Sequence, residues 1–247
     1  GQNVPTEVAL VGDGKAIVGQ LNAALRDRQW FYAEGTPWRK MIADAAAKNT
    51  KQIQPMIDDN AAPTNYYRAL KDIAAWAPKE AIIVGEGANT MDIGRTQLPN
   101  TFARHRLDAG TYGTMGIGMG FVVAACAVNP DKPVISVTGD SALGFSGMEM
   151  ETICRYNMNA KIVVLNNGGI GSGTEKYPDN PLENPPRSLI YGARYDKMLE
   201  AFGGKGFFID DPKNLKGALA EAMAHKGPAL VNVKLHWAAG RKPQEFG

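Results

Sequence analysis

An acidic side chain and an amide side chain each follow a short apolar segment of the chain. Asp140 stands just past the apolar residues 134–137, and Asn167 stands just past residues 161–165. Both segments are typical of buried strands in a parallel sheet, which keeps its ligands at the carboxyl ends of its strands. The Asp140 carboxylate, the Asn167 side-chain carbonyl and the backbone carbonyl of Gly169 are hard oxygen donors of the kind that Mg²⁺ prefers. The spacing therefore predicts a magnesium site.

The residues beside Asp140 could bind phosphate. Gly139 leaves backbone N–H groups accessible, Ser141 adds a hydroxyl, and a helix predicted to begin near Ser146 points its positive end towards the same edge. A Gly-Asp after a strand is usually only a turn, but here Asn167 follows Asp140 by 27 positions, with a helix and a strand between them. This order predicts a divalent cation held against a diphosphate.

Two further motifs should reach the same edge of the sheet. EGANTMDIGR (86–95) and RHRLDAGTYGTMGIGMGF (104–121) both follow a predicted strand. We predict a loop over 106–113 and a helix over 114–128. The glycines around the junction of these two elements let the backbone lie against a flat ring. Met115 could form an apolar wedge against such a ring, although Met is about equally common as a gap-filling residue in a helix core.

Composition excludes some classes of function. The 247 residues are 44% hydrophobic and carry a net charge of +2, which gives no electrostatic case for nucleic acid or membrane binding. The longest apolar stretch, 115–128, is too short to span a bilayer comfortably. Cys126 and Cys154 lie in predicted buried helices without CxxC spacing, which favours free thiols in a reducing, cytoplasmic compartment.

The order of predicted elements gives the fold class. Strands alternate with helices, which indicates an α/β fold with a mostly parallel sheet flanked by helices on both faces. A strand at 7–11 and a helix at 15–25 are too little to close a domain, and no Met opens the chain, so we expect its natural start to lie upstream. A linker with a helix near 38–48 follows. The predicted division is therefore 1–35, 36–62 and 63–247.

The segment from Gly139 to Gly169 resembles the thiamine diphosphate (ThDP) motif, GDG or GDS followed after a helix and a strand by NN. Nearly the whole chain looks like the 2-hydroxyacyl-CoA lyase family, with oxalyl-CoA decarboxylase as its nearest relative. The resemblance implies that 1–35 end a central α/β domain and that 63–247 form the ThDP diphosphate-binding domain, with a C-terminal lid at 238–247. The segments that carry the resemblance are PTNYYRAL, EGANTMDIGRT, RHRLDAGTYGTMGIGMGF, GDSALGFSGMEMETICRYN, AFGGKGFF and RKPQEF.

The resemblance also implies roles for individual residues. Asp140, Asn167 and the Gly169 carbonyl would hold Mg²⁺. Met115 would prop the two rings of ThDP into a V shape, and the Gly113 carbonyl would receive the 4′-amino group. Further cofactor contacts are implied for Tyr66, Asn89, Thr90, Thr114, Gly116, Gly139, Ser141, Ala142, Asn167 and Gly171.

Basic residues near this edge could bind the anionic tail of an acyl-CoA substrate, because guanidinium pairs with phosphate in a fixed fork. Each of them taken alone is more often a solvated surface cation. Gly171 stands where many relatives have an aromatic residue, and the missing ring would suit a larger or branched carbonyl partner. The basic candidates are Arg95, Arg104, Arg106, Arg241 and Lys242.

The implied reaction is a ThDP- and Mg²⁺-dependent, reversible cleavage of a 2-hydroxyacyl-CoA to formyl-CoA and an aldehyde or ketone. The implied partners are an N-terminal pyrimidine-binding domain, which carries an activating glutamate, and further copies in a homotetramer. Two alternatives stay open: an oxalyl-CoA decarboxylase, and a non-catalytic ThDP-holding fragment or subunit. A flavodoxin-like or dinucleotide-binding protein is disfavoured, because no GxGxxG follows the first predicted strand.

Overall fold

The computed structural model describes residues 3–28 and 31–242. The chain divides into two units, Gly1–Lys48 and Asn49–Gly247. In the first unit, helix α1 (Gly14–Leu25) begins where the Asp13 carboxylate accepts a hydrogen bond of 2.9 Å from the Ala16 N–H. This confirms the predicted helix.

The strand predicted at 7–11 is wrong. These residues form bends and extended backbone without a ladder, and the described part of the first unit contains no strand with which they could pair. An isolated strand leaves its backbone groups unpaired, so a short apolar run alone does not produce one. Helix α2 (Pro37–Asp58) extends the predicted helix through most of the predicted linker and accommodates Pro55 within it. The proposed domain divisions stay predictions.

The second unit is built on a six-stranded parallel sheet with the order β2-β1-β3-β4-β6-β5. β3 and β4 are central and fully buried, because helices cover both of their faces. This confirms the predicted fold class. The strands are β1 (Ile82–Glu86), β2 (Arg106–Asp108), β3 (Val134–Gly139), β4 (Ala160–Asn166), β5 (Lys205–Ile209) and β6 (Ala229–Lys234).

Neighbouring residues of each strand point to opposite faces of the sheet and so supply two separate cores. On β1, Ile83 belongs to the core beneath α3, α4 and α9, whereas Ile82 and Val84 belong to the core beneath α5, α7 and α8. The helices are α3 (Tyr66–Trp76), α4 (Ala88–Gln97), α5 (Gly118–Val128), α6 (Asp140–Ser146), α7 (Glu149–Arg155), α8 (Tyr195–Ala201) and α9 (Leu215–Ala224).

Three predicted boundaries are wrong near the edge where the strands end. The helix expected near Ser146 begins at Asp140 itself, so the acidic residue opens α6. The loop expected over 106–113 contains the edge strand β2, and α5 begins at Gly118 rather than at residue 114. Glycine-rich backbone therefore separates β2 from α5. Among the described residues, no helix is long and apolar enough to cross a membrane.

Candidate cation and diphosphate site

The Asp140 carboxylate lies at the carboxyl end of β3 and is held by backbone donors. Its Oδ2 accepts hydrogen bonds from the N–H groups of Gly168, at 2.7 Å, and Gly169, at 3.1 Å. Its Oδ1 accepts one from the Ser141 N–H at 2.8 Å. Gly168 has a φ of 75°, a conformation that favours glycine and turns the chain after β4 back towards Asp140. The two predicted strand ends therefore meet.

Asn167 lies beside this carboxylate and has one unused oxygen. Its Nδ2 donates to the Gly171 carbonyl at 3.0 Å, but its buried Oδ1 has no hydrogen-bond partner in the described part of the chain. A buried amide oxygen without a partner costs free energy unless a ligand satisfies it. An amide oxygen and a carboxylate are hard-oxygen donors, so the chemistry of Asn167 and Asp140 fits Mg²⁺. The described residues contain no cluster of three or more His, Cys, Asp or Glu side chains suited to a metal.

Burial perturbs the titration of the groups around the site. Burial raises the pKa of Asp140 to about 6, although the backbone hydrogen bonds from Ser141, Gly168 and Gly169 oppose this shift. Burial, and then the charge of Asp140, raise the pKa of Tyr195 to about 12. The same two causes raise the pKa of Tyr66 well above its usual value. Two tyrosine hydroxyls near this carboxylate therefore stay protonated.

The predicted cofactor contacts from other elements surround the same point. The Asn89 Nδ2 donates to the Gly171 carbonyl at 2.9 Å, so that carbonyl joins Asn89 to Asn167. The side chains of Thr90 and Asn89 lie close enough to the Tyr66 hydroxyl to oppose the rise of its pKa, so Tyr66 of α3 lies at the same site. Close approaches bring in two more predicted residues: a Cβ on Gly139 would lie 3.3 Å from the Thr90 Oγ1, and one on Gly87 would lie 3.6 Å from the Ala142 Cβ.

The predicted ring-binding segment approaches from β2. Gly113 and Gly116 have φ values of 63° and 89°, and Met115, between them, is half-buried. A Cβ on Gly116 would contact Phe145 of α6 at 3.4 Å, which places the segment next to the helix that Asp140 opens. Gly113 and Thr114 are exposed. The roles assigned to these residues stay predictions.

The structure does not gather the five predicted substrate cations at one point. Arg95 pairs bidentately with Asp108, with nitrogen–oxygen distances of 2.8 and 2.9 Å, and this carboxylate raises the pKa of Arg95. Arg106 is half-buried and donates to the Leu98 carbonyl; burial lowers its pKa. Arg104 is exposed and has a φ of 64°.

Arg241 and Lys242 lie near Arg95 instead. All three line a cavity of about 670 Å³ in the second unit. Arg241 pairs with Asp92 at 2.6 Å, and the Lys242 backbone N–H donates to the Tyr67 hydroxyl at 3.1 Å. A Cβ on Gly240 would lie 4.0 Å from the Asn89 Nδ2, so the chain before Arg241 passes beside the cation site. The rest of the predicted lid, 243–247, lies outside the described residues.

Sequence reasoning missed two residues at this edge. Tyr195, which opens α8, lies near enough to Asp140 for the charge of that carboxylate to raise the pKa of the Tyr195 hydroxyl. Glu86 ends β1 and accepts hydrogen bonds from the backbone of residues 116–118. Glu86 opens the EGANTMDIGR motif, so an acidic residue at a predicted strand end was visible. Nothing in the sequence connects Tyr195 with Asp140, because their proximity depends on the position of α8.

The fold and the site together define a class of protein. Residues 86–233 match the family described as "Thiamine pyrophosphate enzyme, C-terminal TPP binding domain". The chain belongs to this family of thiamine pyrophosphate (ThDP) enzymes. Its fold is similar to that of the Rhodococcus jostii RHA1 thiamine diphosphate-dependent 4-hydroxybenzoylformate decarboxylase, with a TM-score of 0.62, 22% identity and coverage of 72% of this chain and 34% of that one.

Individual relatives confirm the predicted resemblance. The chain is 40% identical over 259 residues to human 2-hydroxyacyl-CoA lyase 1, a match that covers 100% of this chain and 45% of the lyase. It is 36% identical over 240 residues to Escherichia coli oxalyl-CoA decarboxylase, which covers 96% of this chain and 42% of the decarboxylase. The chain thus spans less than half the length of these relatives.

Proposed function

We propose that this chain forms the cofactor-binding part of a ThDP- and Mg²⁺-dependent lyase that cleaves 2-hydroxyacyl-CoA to formyl-CoA and an aldehyde or ketone. The observation that carries the proposal is the unpartnered, buried Oδ1 of Asn167, the residue just before Gly168, whose backbone N–H binds the Asp140 carboxylate. Similarity to 2-hydroxyacyl-CoA lyases over the whole chain supports the choice of reaction.

The residues of this chain would hold and orient the cofactor. The Asp140 carboxylate, the Asn167 Oδ1 and the Gly169 carbonyl would hold Mg²⁺. Ser141 would meet the diphosphate, and Met115 would support the rings. When bound, ThDP supplies an electron sink at the reacting carbon, so the protein contributes position and electrostatics rather than a nucleophile of its own. The positions of these groups on adjacent strand ends keep the geometry fixed, and fixed geometry lowers reaction barriers.

The cavity beside this site is the proposed position for the anionic part of CoA. Arg95, Arg241 and Lys242 line it, and a substrate phosphate would compete with Asp108 and Asp92 for the two arginines. These ion pairs are partly exposed, so exchanging one of them costs little free energy. Binding of CoA would therefore exchange ion pairs of charged side chains and leave the backbone of the sheet edge in place.

The closest alternative is oxalyl-CoA decarboxylase, which the similarity to the Escherichia coli enzyme favours. Both reactions yield formyl-CoA, but the second product is an aldehyde or ketone in one and carbon dioxide in the other. We propose further that the active form includes a pyrimidine-binding domain, is a homotetramer and is cytoplasmic. A ThDP-holding fragment without activity is the alternative from another class.

The cofactor proposal is tested by calorimetric titration of the purified chain with ThDP, with and without Mg²⁺. We expect binding only with Mg²⁺, and we expect Asp140→Asn to weaken it more than about 100-fold, because even outer-shell partners of a metal are worth 10–100-fold. Asp196→Asn is the matched control, since Asp196 is also buried but pairs with Arg194. Mg²⁺-independent binding, or equal losses in the two variants, contradicts the proposed site.

The reaction is tested on the protein assembled with a pyrimidine-binding domain, which we expect to be needed for turnover. Incubation with a 2-hydroxyacyl-CoA should yield equal amounts of formyl-CoA and aldehyde or ketone. Release of carbon dioxide from oxalyl-CoA at a higher kcat/KM would instead establish the decarboxylase. Turnover of neither substrate, with ThDP binding intact, would support the non-catalytic alternative.

A further inference from the structure

A second buried carboxylate lies at the same sheet edge, and the proposed reaction gives it no role. Glu86 is the last residue of β1 and is 1% exposed. Its Oε1 accepts hydrogen bonds from the backbone N–H groups of Gly116 and, at 3.2 Å, Ile117. Its Oε2 accepts one from the Gly118 N–H at 2.9 Å. One side chain thus binds three consecutive residues about 30 positions further along the chain.

The Gly118 N–H is the first of helix α5, and the N–H groups of Gly116 and Ile117 directly precede it. The first N–H groups of a helix have no partner within it, and a negative charge there is favourable. Ile117, at the N-cap position, offers no side-chain acceptor. Glu86, at the end of β1, supplies the missing acceptor instead. Hydrogen bonds to an ionised acceptor are stronger than neutral ones. The start of α5 is therefore fixed to the end of β1.

The segment before α5 has little else in its sequence to fix it. Gly110, Gly113 and Gly116 all have positive φ values, and Gly113 is exposed. Glycine loses more conformational freedom on ordering than any other residue, so such a segment needs an external hydrogen-bond partner. Met115 directly precedes the first residue that Glu86 binds, so the carboxylate decides where the Met115 side chain is presented.

Gly118 makes this close approach possible. A Cβ at this position would lie 2.3 Å from the Glu86 Oε2, whereas a Cβ on Gly120, one half-turn further along α5, meets nothing within 4 Å. The Glu86 carboxylate thus occupies the place of a side chain at Gly118 but not at Gly120. The two glycines offer a matched pair of positions at which an added methyl group does or does not disturb Glu86.

We infer that Glu86 is a positioning residue that fixes the ring-contacting segment 113–116 relative to the cation site. Glu86 pairs with Thr138 in the sheet register, two residues before Asp140, so one sheet edge places both halves of the cofactor site. This inference rests on the proposed function, since segment 113–116 meets the rings only if the site holds ThDP. Glu86 itself acts through the backbone of residues 116–118.

The test compares two ligands on the purified chain: ThDP, which has the rings, and inorganic pyrophosphate, which lacks them, each with Mg²⁺. We expect Glu86→Gln to weaken ThDP binding by about 10- to 100-fold, because an amide nitrogen cannot accept the hydrogen bond that a carboxylate oxygen accepts. Pyrophosphate affinity should change by less than about threefold, because Asp140 and Asn167 are untouched. A loss for both ligands alike, or for neither, overturns the inference.

A second pair of variants protects the test against simple misfolding. Gly118→Ala should reproduce the selective loss of ThDP affinity, and Gly120→Ala should bind both ligands as the parent chain does. Equal behaviour of these two variants contradicts the inference. Asp196→Asn, which removes a buried carboxylate elsewhere, should leave the ratio of the two affinities unchanged even if it destabilises the chain.

Amide hydrogen exchange gives a readout that needs no ligand. The N–H groups of Gly116, Ile117 and Gly118 should be protected in the parent chain and exchange at least about tenfold faster in Glu86→Gln, while those of the central strand β4 stay unchanged. Unchanged protection at residues 116–118 overturns the inference whatever the ligands do. If the parent chain binds neither ligand, the proposed function fails, and exchange alone then reports on the hydrogen bonds of Glu86.

Discussion

Asp140 and Glu86 are two buried carboxylates at the ends of neighbouring strands, and both accept three backbone hydrogen bonds. They differ in their surroundings. Asp140 binds the N–H of Gly168, which follows the residue with the unpartnered Oδ1, Asn167, and burial raises the pKa of Asp140 to about 6. Glu86 faces the positive end of helix α5. The strand end next to Asp140 therefore holds an amide oxygen that lacks a donor, whereas the donors that bind Glu86 belong to the start of a helix.

The difference shows how one edge of a sheet can both bind a ligand and stabilise the fold. A carboxylate opposed by a helix N-terminus stabilises the fold without a ligand. A carboxylate that burial disfavours costs stability until a cation arrives, and that cost is typical of functional sites. The comparison predicts that a substitution at Glu86 costs more stability than one at Asp140, whereas a substitution at Asp140 costs more cofactor affinity.

The largest expected contrast is between Asp140→Asn and Glu86→Gln in the cation-free chain at pH 7. Asp140→Asn should change the free energy of unfolding by about 1 kcal/mol or less, because removal of a charge that burial disfavours offsets the acceptor that at least one backbone N–H loses. Glu86→Gln should lower it by about 1–3 kcal/mol, because a buried N–H loses its acceptor. Urea denaturation of both variants measures the difference. Equal destabilisation would mean that the two carboxylates play the same structural part.

The neighbouring residues Asn166 and Asn167 offer a similar comparison, between an amide with all its hydrogen bonds made and an amide with an unpaired oxygen. Asn166 is fully paired: its Nδ2 donates to the Ala193 carbonyl at 3.0 Å and to the Asn232 Oδ1 at 3.2 Å. Asn166→Ala should therefore lower the free energy of unfolding by about 2 kcal/mol or more, since it unpairs buried groups. Asn167→Ala should instead weaken Mg²⁺-dependent ThDP binding about 10- to 100-fold.

Denaturation and calorimetry on both variants give the check. The free energy of unfolding of Asn167→Ala should change by about 1 kcal/mol or less, because Asn89 still donates to the Gly171 carbonyl that Asn167 releases. If Asn166→Ala lost cation affinity while Asn167→Ala kept it, the assignment of the metal donor to Asn167 would be wrong.

The raised pKa of Asp140 predicts a pH dependence with a definite sign. Because the folded chain holds this proton up to about pH 6 and the unfolded chain only up to about pH 3.8, Asp140 favours the fold below pH 3.8. That contribution, about 3 kcal/mol, is lost as the pH rises through 6. The difference in unfolding free energy between the parent chain and Asp140→Asn, measured from pH 4 to 8, isolates it.

The proton and the cation should also compete for Asp140. Below about pH 6, Mg²⁺-dependent ThDP affinity should fall about tenfold per pH unit, because one proton must leave when the cation binds. Above that pH the affinity should level off. A pH-independent affinity between 4.5 and 6, in a chain that stays folded, would show that Asp140 is not a ligand.

The sequence was sufficient for five of the six strands of the sheet and for the positions of Asp140 and Asn167 at strand ends, because continuous apolar runs and polar strand ends are local patterns. The position of α8, which brings Tyr195 near Asp140, depends on packing between distant segments and leaves no local pattern. The strand predicted at 7–11 failed for a related reason, since a strand needs a partner that its own residues cannot specify. Glu86 was visible, but its partners at 116–118 are defined by the turn of the glycine segment.

The smallest predicted effect concerns Gly171, whose carbonyl joins Asn89 to Asn167. Its φ of 80° is strained for any other residue, but a Cβ there would meet nothing within 4 Å. Gly171→Tyr should therefore lower the free energy of unfolding by about 1–2 kcal/mol through backbone strain alone. Its ring has room to enter the space next to the site and should shift preference away from ketone-derived substrates.

Gly171→Ala is the control, because it carries the same backbone strain without the ring. If the empty space at Gly171 selects the carbonyl partner, the ratio of kcat/KM values for aldehyde-derived and ketone-derived 2-hydroxyacyl-CoA should change in Gly171→Tyr and stay at the parent value in Gly171→Ala. Equal ratios in the two variants would assign any change to the displaced carbonyl. In that case Gly171 would position other residues of the site, as Glu86 does, and would not contact a ligand, as Asp140 is proposed to do.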